Sequence, residues 1–310
     1  MNGLRQRIVA EGLLHLDGVA GVDELVHVGG HRRTPEPPPR IIRRMTVRHA
    51  VIPAAGMGTR FLPATKAVPK ELLPILDTPI LQLVIDEAVG AGIDHIVVVT
   101  SVKKPAIEAY FKPAPEVSAK LRDTGRTALA DRLDAIGRDV HVSFAYQEQA
   151  LGLGHAVGCA SEIVGDNPFA VLLPDEVMGD SSLLAQMAAV CDASGGSVVG
   201  LKQVPREDVS AYGVVDPSGP VGADGVVPVR GMVEKPPVDE APSELIIIGR
   251  YVLTPDVFAE IAKVKPGAVG EIQLTDALRA QASKGVFHGV VSGIDRFDTG
   301  TPWYWLQAVV

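Results

Sequence analysis

The sequence predicts an α/β protein with a mostly parallel central sheet and a smaller β region appended to it. Apolar runs at 93–100 and 169–173 are nearly continuous, as in strands buried on both faces. They alternate with segments of helical periodicity, the pattern of parallel strands connected through helices. From about residue 197 the apolar runs lie between closely spaced turns and read as antiparallel.

Taken in order, residues 1–44 differ from the rest. They end in Arg32-Arg33-Thr34-Pro35-Glu36-Pro37-Pro38-Pro39-Arg40, which favours extended structure, and we expect a poorly ordered extension. Asp17, Asp23 and Glu24 interrupt the apolar residues, which speaks against a signal peptide, and Met45 could itself be the start. The domain proper is expected over 45–310. Its first strand, around 50–52, runs into a loop carrying Ala55, Gly56, Gly58 and Thr59. Glycine admits positive φ and lets backbone N–H groups approach a ligand closely. Arg60, Lys66 and Lys70 come next, with no Asp or Glu between Glu36 and Glu71. In a chain of net charge −8 this is a local cationic island, and its natural partner is a polyphosphate. Neither the Walker loop nor the dinucleotide fingerprint fits, and Pro63 and Pro69 prevent a long helix directly after the turn.

A helix is expected at 80–89, closed by Gly90 and Gly92, then the strand 93–100, helices within 103–137, and a strand at 140–146. Gln147 stands at the end of that strand, followed by Gly152 and Gly154 ahead of another helix. His155 reads as a packing residue at the helix start. The buried strand 169–173 leads into Pro174-Asp175-Glu176, carboxylates at the rim where open α/β sheets bind ligands. Asp175 suits Mg²⁺, a hard cation that accepts one or two carboxylates plus phosphate oxygens, although a capping role would also account for it. Beyond the helix 181–191 come strands at 197–204, 212–216, 226–233 and 244–254. Glu234-Lys235 taken alone is an ordinary solvated turn. A helix with an acidic first turn is expected from 270, and a last strand at 287–294 leads to Asp298-Thr299-Gly300.

Composition excludes several classes. The chain has 310 residues, 46% of them hydrophobic, enough to bury a substantial core. Its acidic balance argues against nucleic acid as a partner. No apolar run approaches the roughly 20 residues of a membrane span. Cys159 and Cys191 are too few for a disulfide framework, which suggests packing roles and a reduced, cytoplasmic setting.

The whole stretch Ala-Gly-Met-Gly-Thr-Arg-Phe-Leu-Pro-Ala-Thr-Lys-Ala-Val-Pro-Lys-Glu-Leu-Leu-Pro resembles the signature of the sugar-nucleotide pyrophosphorylases, and in particular the bacterial UTP–glucose-1-phosphate uridylyltransferases. Matching stretches recur in family order at 56–70, 147–155, 174–175, 234–235 and 298–300. The resemblance implies a Rossmann-like nucleotidyltransferase fold and a Mg²⁺-dependent reaction of UTP with glucose 1-phosphate, giving UDP-glucose and pyrophosphate. It assigns catalysis to Arg60, Lys70, Asp175 and Lys235. Nucleotide binding falls to Ala55, Gly56, Gly58, Thr59, Glu71, Gln147 and Gly152, with Gln147 and Gly152 meeting the uracil. A Gln amide offers a donor beside an acceptor, the complement of a pyrimidine edge. Sugar-phosphate binding falls to Gly213, Glu234, Lys235 and Gly249, and the metal to Asp175 and Asp298. The resemblance also implies a homodimer or homotetramer, and relatives that continue through further helical sequence where this chain stops. A thymidylyltransferase, another sugar-1-phosphate nucleotidyltransferase, and a non-catalytic nucleotide-sugar sensor on the same fold are the alternatives.

Overall fold

Continuous apolar runs need cover on both sides, and the architecture provides it. The computed structural model describes residues 46–138, 140–267 and 270–310, so the extension expected over 1–44 lies outside the described residues. The strands are β1 (His49–Pro53), β2 (Pro74–Ile75), β3 (Thr78–Pro79), β4 (His95–Thr100), β5 (His141–Tyr146), β6 (Phe169–Leu172) and β7 (Glu176–Met178). They continue with β8 (Ser197–Gln203), β9 (Gly213–Pro217), β10 (Val226–Glu234), β11 (Leu245–Leu253), β12 (Phe287–Val291) and β13 (Arg296–Asp298). Among the described residues nine of these form one sheet, in the order β5-β4-β1-β6-β11-β8-β12-β10-β9. β5, β4, β1 and β6 pair in parallel, whereas β11 runs antiparallel to both β6 and β8. The later β region therefore extends the central sheet edge to edge. β7 and β13 make a separate antiparallel pair, as do β2 and β3.

Successive strand residues face opposite sides, and each side has its own core. Ile52 and Val98 pack with Leu81, Val84, Leu184 and Met187 from the helices Ile80–Gly90 and Ser182–Ser194. Val51, Val97 and Val99 pack the other way, with Val157, Leu274 and Leu278 from the helices Leu153–Gly158 and Leu274–Ala282. The last of these begins four residues later than the sequence suggests, because 271–273 stay extended against the 151–154 loop, through Ile272 N to Leu151 O at 2.7 Å and Gly154 N to Ile272 O at 2.9 Å. No helix among the described residues is long and apolar enough to cross a membrane.

At the N-terminal edge of the parallel strands, His49, His95 and His141 occupy matched register positions. Their rings stand 4.6 and 4.5 Å apart in succession. Burial lowers the pKa of His49, helped by Arg48, and burial lowers that of His95, helped by His49 and His141. Groups whose folded pKa is depressed bind protons more readily in the unfolded chain, so the stability they contribute is present above the unfolded value and is lost as pH falls below about 6.5. Thermal midpoints measured from about pH 7.5 to about pH 5 should therefore decline, and His95→Gln should decline less over the same range.

Candidate functional site

Four parallel strands end on one edge, so the loops following β1, β4, β5 and β6 leave from a common rim. The loop after β1 is anchored at its start by Ala54 N donating to Val99 O at 2.7 Å. Gly58 adopts φ 63 and ψ 32, the left-handed region, and its carbonyl accepts from Thr65 Oγ1 at 2.8 Å. A Cβ at Gly58 would stand 3.2 Å from the Thr65 methyl and 3.4 Å from Lys70 Cβ, so glycine serves both the turn and the close packing. Ala55, Gly56 and Thr59 lie on the half-exposed to exposed part of this turn. The prolines divide the remainder into three short 3₁₀ turns, Thr59–Phe61, Ala64–Lys66 and Lys70–Leu72.

Glu71, expected at the nucleotide, is buried beneath the loop, 1% exposed; its Oε2 is taken by Lys104 Nζ at 2.9 Å and its Oε1 has no hydrogen-bond partner among the described residues. Lys104 also donates to Ala54 O at 2.7 Å. Burial lowers the Lys104 pKa and Lys70 adds to that, while Glu71 opposes it. This pair props the glycine loop from below. Sequence adjacency to Lys70 could not tell which side of the loop the carboxylate turns to.

The cations and acids expected from distant stretches do meet. Lys70 Nζ stands 3.3 Å from Asp175 Oδ2. Asp298 arrives through the β7–β13 ladder, whose register sets it opposite Glu176. Thr299 N then donates to Asp175 O at 2.7 Å, and Gly300 N to Asp298 Oδ1 at 2.7 Å. Arg60 Nη1 reaches Gly300 O at 3.5 Å. A Cβ on Gly300 would lie 3.1 Å from Asp298 Oδ1, 3.6 Å from Arg60 Nη1 and 3.6 Å from Asp175 Oδ2. Gly300 thus marks the point on which these side-chain and backbone groups close. Among the described residues no group of three or more His, Cys, Asp or Glu could hold a metal. An oxygen-only pair of carboxylates fits a hard cation that completes its shell with water and phosphate, as Mg²⁺ does. Glu176 is not a third donor, because Arg296 holds it in a two-pronged pair at 2.6 and 3.0 Å.

What fixes Asp175 is a residue to which the sequence assigns no role. Arg250, on β11, is fully buried and spends all five N–H bonds. Nε and Nη2 donate to Glu87 at 2.8 and 2.6 Å. Nη1 donates to Leu173 O at 3.2 Å and to Gly249 O at 2.8 Å, and Nη2 to Glu176 O at 2.7 Å. Gly249 sits where the β11–β8 register shifts, and a Cβ there would be 2.8 Å from Leu173 Cβ. Its glycine serves this close approach.

At the end of β5 Gln147 is buried; its backbone N–H donates to Thr100 O at 2.8 Å and its Nε2 to Gly152 O at 3.1 Å. Gly152, at φ 95, would put a Cβ 2.9 Å from Ile272 O. On the antiparallel side Glu234 Oε2 accepts from Thr275 at 2.6 Å, beside Gly213, whose added Cβ would lie 3.2 Å from the same oxygen. Lys235 has a positive φ of 45, its side chain is 64% exposed, and its ammonium stands 4.0 Å from Glu234 Oε1. The two sides connect through Arg296, which lies 5.7 Å above the Tyr212 ring, while Tyr212 O accepts from Lys235 N at 3.0 Å. Tyr251 senses both: burial raises its pKa strongly, and the carboxylates of Glu176, Glu234 and Asp175 add to the rise.

The nucleotidyl transferase family model matches residues 49–309. Two UTP–glucose-1-phosphate uridylyltransferases of Bacillus subtilis are similar over most of the chain. One is 45% identical over 258 residues, covering 83% of this chain and 86% of its own. The other is 46% identical over 234 residues, covering 75% and 80%. Among solved structures, a UTP-bound UGPase from Acinetobacter baumannii superposes with a TM-score of 0.79 at 37% identity, over 85% of this chain and 92% of that one. A UDP-glucose pyrophosphorylase complexed with UDP-glucose gives 0.76, also at 37% identity, over 85% and 97%.

Removing one member of a buried ion pair leaves the other charge uncompensated, at a cost of about 3–5 kcal/mol. Glu87→Ala should lower unfolding free energy by that order in urea titration.

Proposed function

The chain belongs to the nucleotidyl transferase family, and from that premise we propose that it transfers UMP from UTP to α-D-glucose 1-phosphate, giving UDP-glucose and releasing pyrophosphate. One observation carries the assignment of residues: Arg60, Lys70, Asp175 and Asp298 converge around Gly300 at the rim of the parallel strands. A phosphate oxygen of the sugar phosphate attacks the α-phosphorus of UTP in line, forming one P–O bond as the α–β bridge breaks and the electron pair leaves with pyrophosphate. Chemistry of this kind needs little covalent help, so the protein contributes alignment and charge.

In this reading Arg60 and the N–H groups around Gly58 steady the departing pyrophosphate. Lys70 exchanges its contact with Asp175 for the nucleotide phosphates. Lys235, exposed and free to reach, holds the attacking phosphate. Glu234, oriented by Thr275, accepts hydrogen bonds from sugar hydroxyls beside Gly213 and Gly249. Gln147 and Gly152 receive the base. A divalent cation, which we take to be Mg²⁺, would lie against Asp175 and Asp298 and draw charge off the α-phosphate. The cytoplasmic setting and a homodimeric or homotetrameric assembly belong to the same proposal. The two cysteines, one half-buried and one buried, are free thiols, which suits a reducing compartment.

Losing one charged contact to the reacting phosphates typically lowers turnover by about 10²–10³. Asp175→Ala and Lys235→Ala should each fall by that much in a pyrophosphate-release assay with UTP and glucose 1-phosphate, with circular dichroism unchanged. Release should require Mg²⁺ and stop in EDTA. A folded Asp175→Ala protein with near-normal turnover would refute the metal assignment.

A further inference from the structure

The Gln147 side chain is more constrained than a base-reading amide need be. Its Nε2 lies 3.1 Å from Gly152 O and 2.9 Å from His155 Nδ1. A carbonyl can only accept, so the nitrogen end of the amide must face Gly152. The second N–H then runs to His155 Nδ1, which must carry a lone pair, so the ring is neutral with its proton on Nε2. Cys159 Sγ, one helical turn on, stands 4.0 Å from the same Nδ1. Burial raises the Cys159 pKa, and at that longer distance the thiol leaves the single lone pair of Nδ1 to the amide. Both N–H bonds of the amide are therefore spent inside the loop. Only the carbonyl oxygen remains to meet a ligand.

We infer that His155 is a specificity-determining residue: by accepting from Gln147, it fixes the amide so that an entering base meets an oxygen and not an amino group. This rests on the reading of Gln147 as the base contact. Uracil presents N3–H between two carbonyls, and that N–H can donate to Gln147 Oε1. Cytosine presents a bare N3 lone pair at the same place, which would face the oxygen's own lone pairs and leave both acceptors unpaired. The donor for a uracil carbonyl must come from elsewhere, so Gln147 supplies an acceptor alone and not the donor–acceptor pair that its composition suggests. Thymine has the same N3–H, so this device separates uracil and thymine from cytosine and not from each other. The terminal amide torsion of Gln is soft and nearly two-fold, so one orientation is held by the two acceptors together, Gly152 O and His155 Nδ1. His155 is the side-chain half of that anchor and acts only through Gln147.

The test is the ratio of kcat/KM for UTP to that for CTP, with glucose 1-phosphate saturating. His155→Leu removes the acceptor and should lower the ratio about tenfold, the worth of one such hydrogen bond, while KM for glucose 1-phosphate is unchanged. His155→Asn, whose Oδ1 reaches about where Nδ1 stands, should keep the ratio within about threefold of the parent protein. A role in packing alone would slow both nucleotides equally, and an unmoved ratio in His155→Leu overturns the inference. Gln147→Ala separates the two levels. If it collapses the ratio while His155→Leu does not, the base contact stands and the role of His155 falls. If neither variant moves the ratio, the base reading falls and takes this inference with it.

Discussion

A guanidinium with no exposed surface is tolerated only when each of its hydrogens has a partner, and the arrangement of the rim results from meeting that demand at Arg250. Burial disfavours its charge, yet Glu87, Glu176 and Asp175 outweigh that, and its pKa is raised. Glu87 takes two N–H bonds from the helix Ile80–Gly90. The carbonyls of Leu173, Gly249 and Glu176 take the rest, and those of Leu173 and Glu176 bracket Asp175. The acid's position is therefore set by a neighbour's unmet donors and not by its own side chain. Moving the 173–176 segment would leave buried hydrogens without acceptors, which is costly enough to hold the backbone in place.

Charge at the rim is balanced locally, although the chain as a whole is acidic. Lys104 answers Glu71 below the glycine loop, Arg296 answers Glu176, and Lys70 answers Asp175. The first two pairs are largely buried and structural. The third is more open to solvent. Enclosed and solvent-facing charges thus alternate along the same few residues. Position beside the glycine loop therefore does not by itself give a carboxylate's partner: Glu71 lies beneath the loop, paired with Lys104.

The central strands and the loops at their ends are legible in the sequence because burial on both faces leaves an uninterrupted apolar run, and because glycine and proline punctuate the segments between strands. The convergence of Arg60, Lys70, Asp175 and Asp298 can be anticipated from motif order alone. Its means cannot. The β7–β13 ladder has three residues on each side, too few for any periodicity, and it joins positions more than a hundred residues apart. Arg250 and Glu87 are separated by 163 positions, and neither carries a local signal of its partner. Gln147 is legible only in part: its residue type offers two kinds of hydrogen bond, but only the fold reveals that His155 and Gly152 consume one kind.

The β7–β13 ladder also bears on the order in which the protein becomes competent. A nascent chain leaving the ribosome exposes the glycine loop, Lys70 and Asp175 long before Asp298 has been synthesised. Until that late strand docks, the first acid has a lysine for company but no second carboxylate. A growing polypeptide can thus fold its early strands and pair Lys70 with Asp175 before Asp298 has come within reach. The rim is complete only when the strand that is made last reaches its place beside one made much earlier.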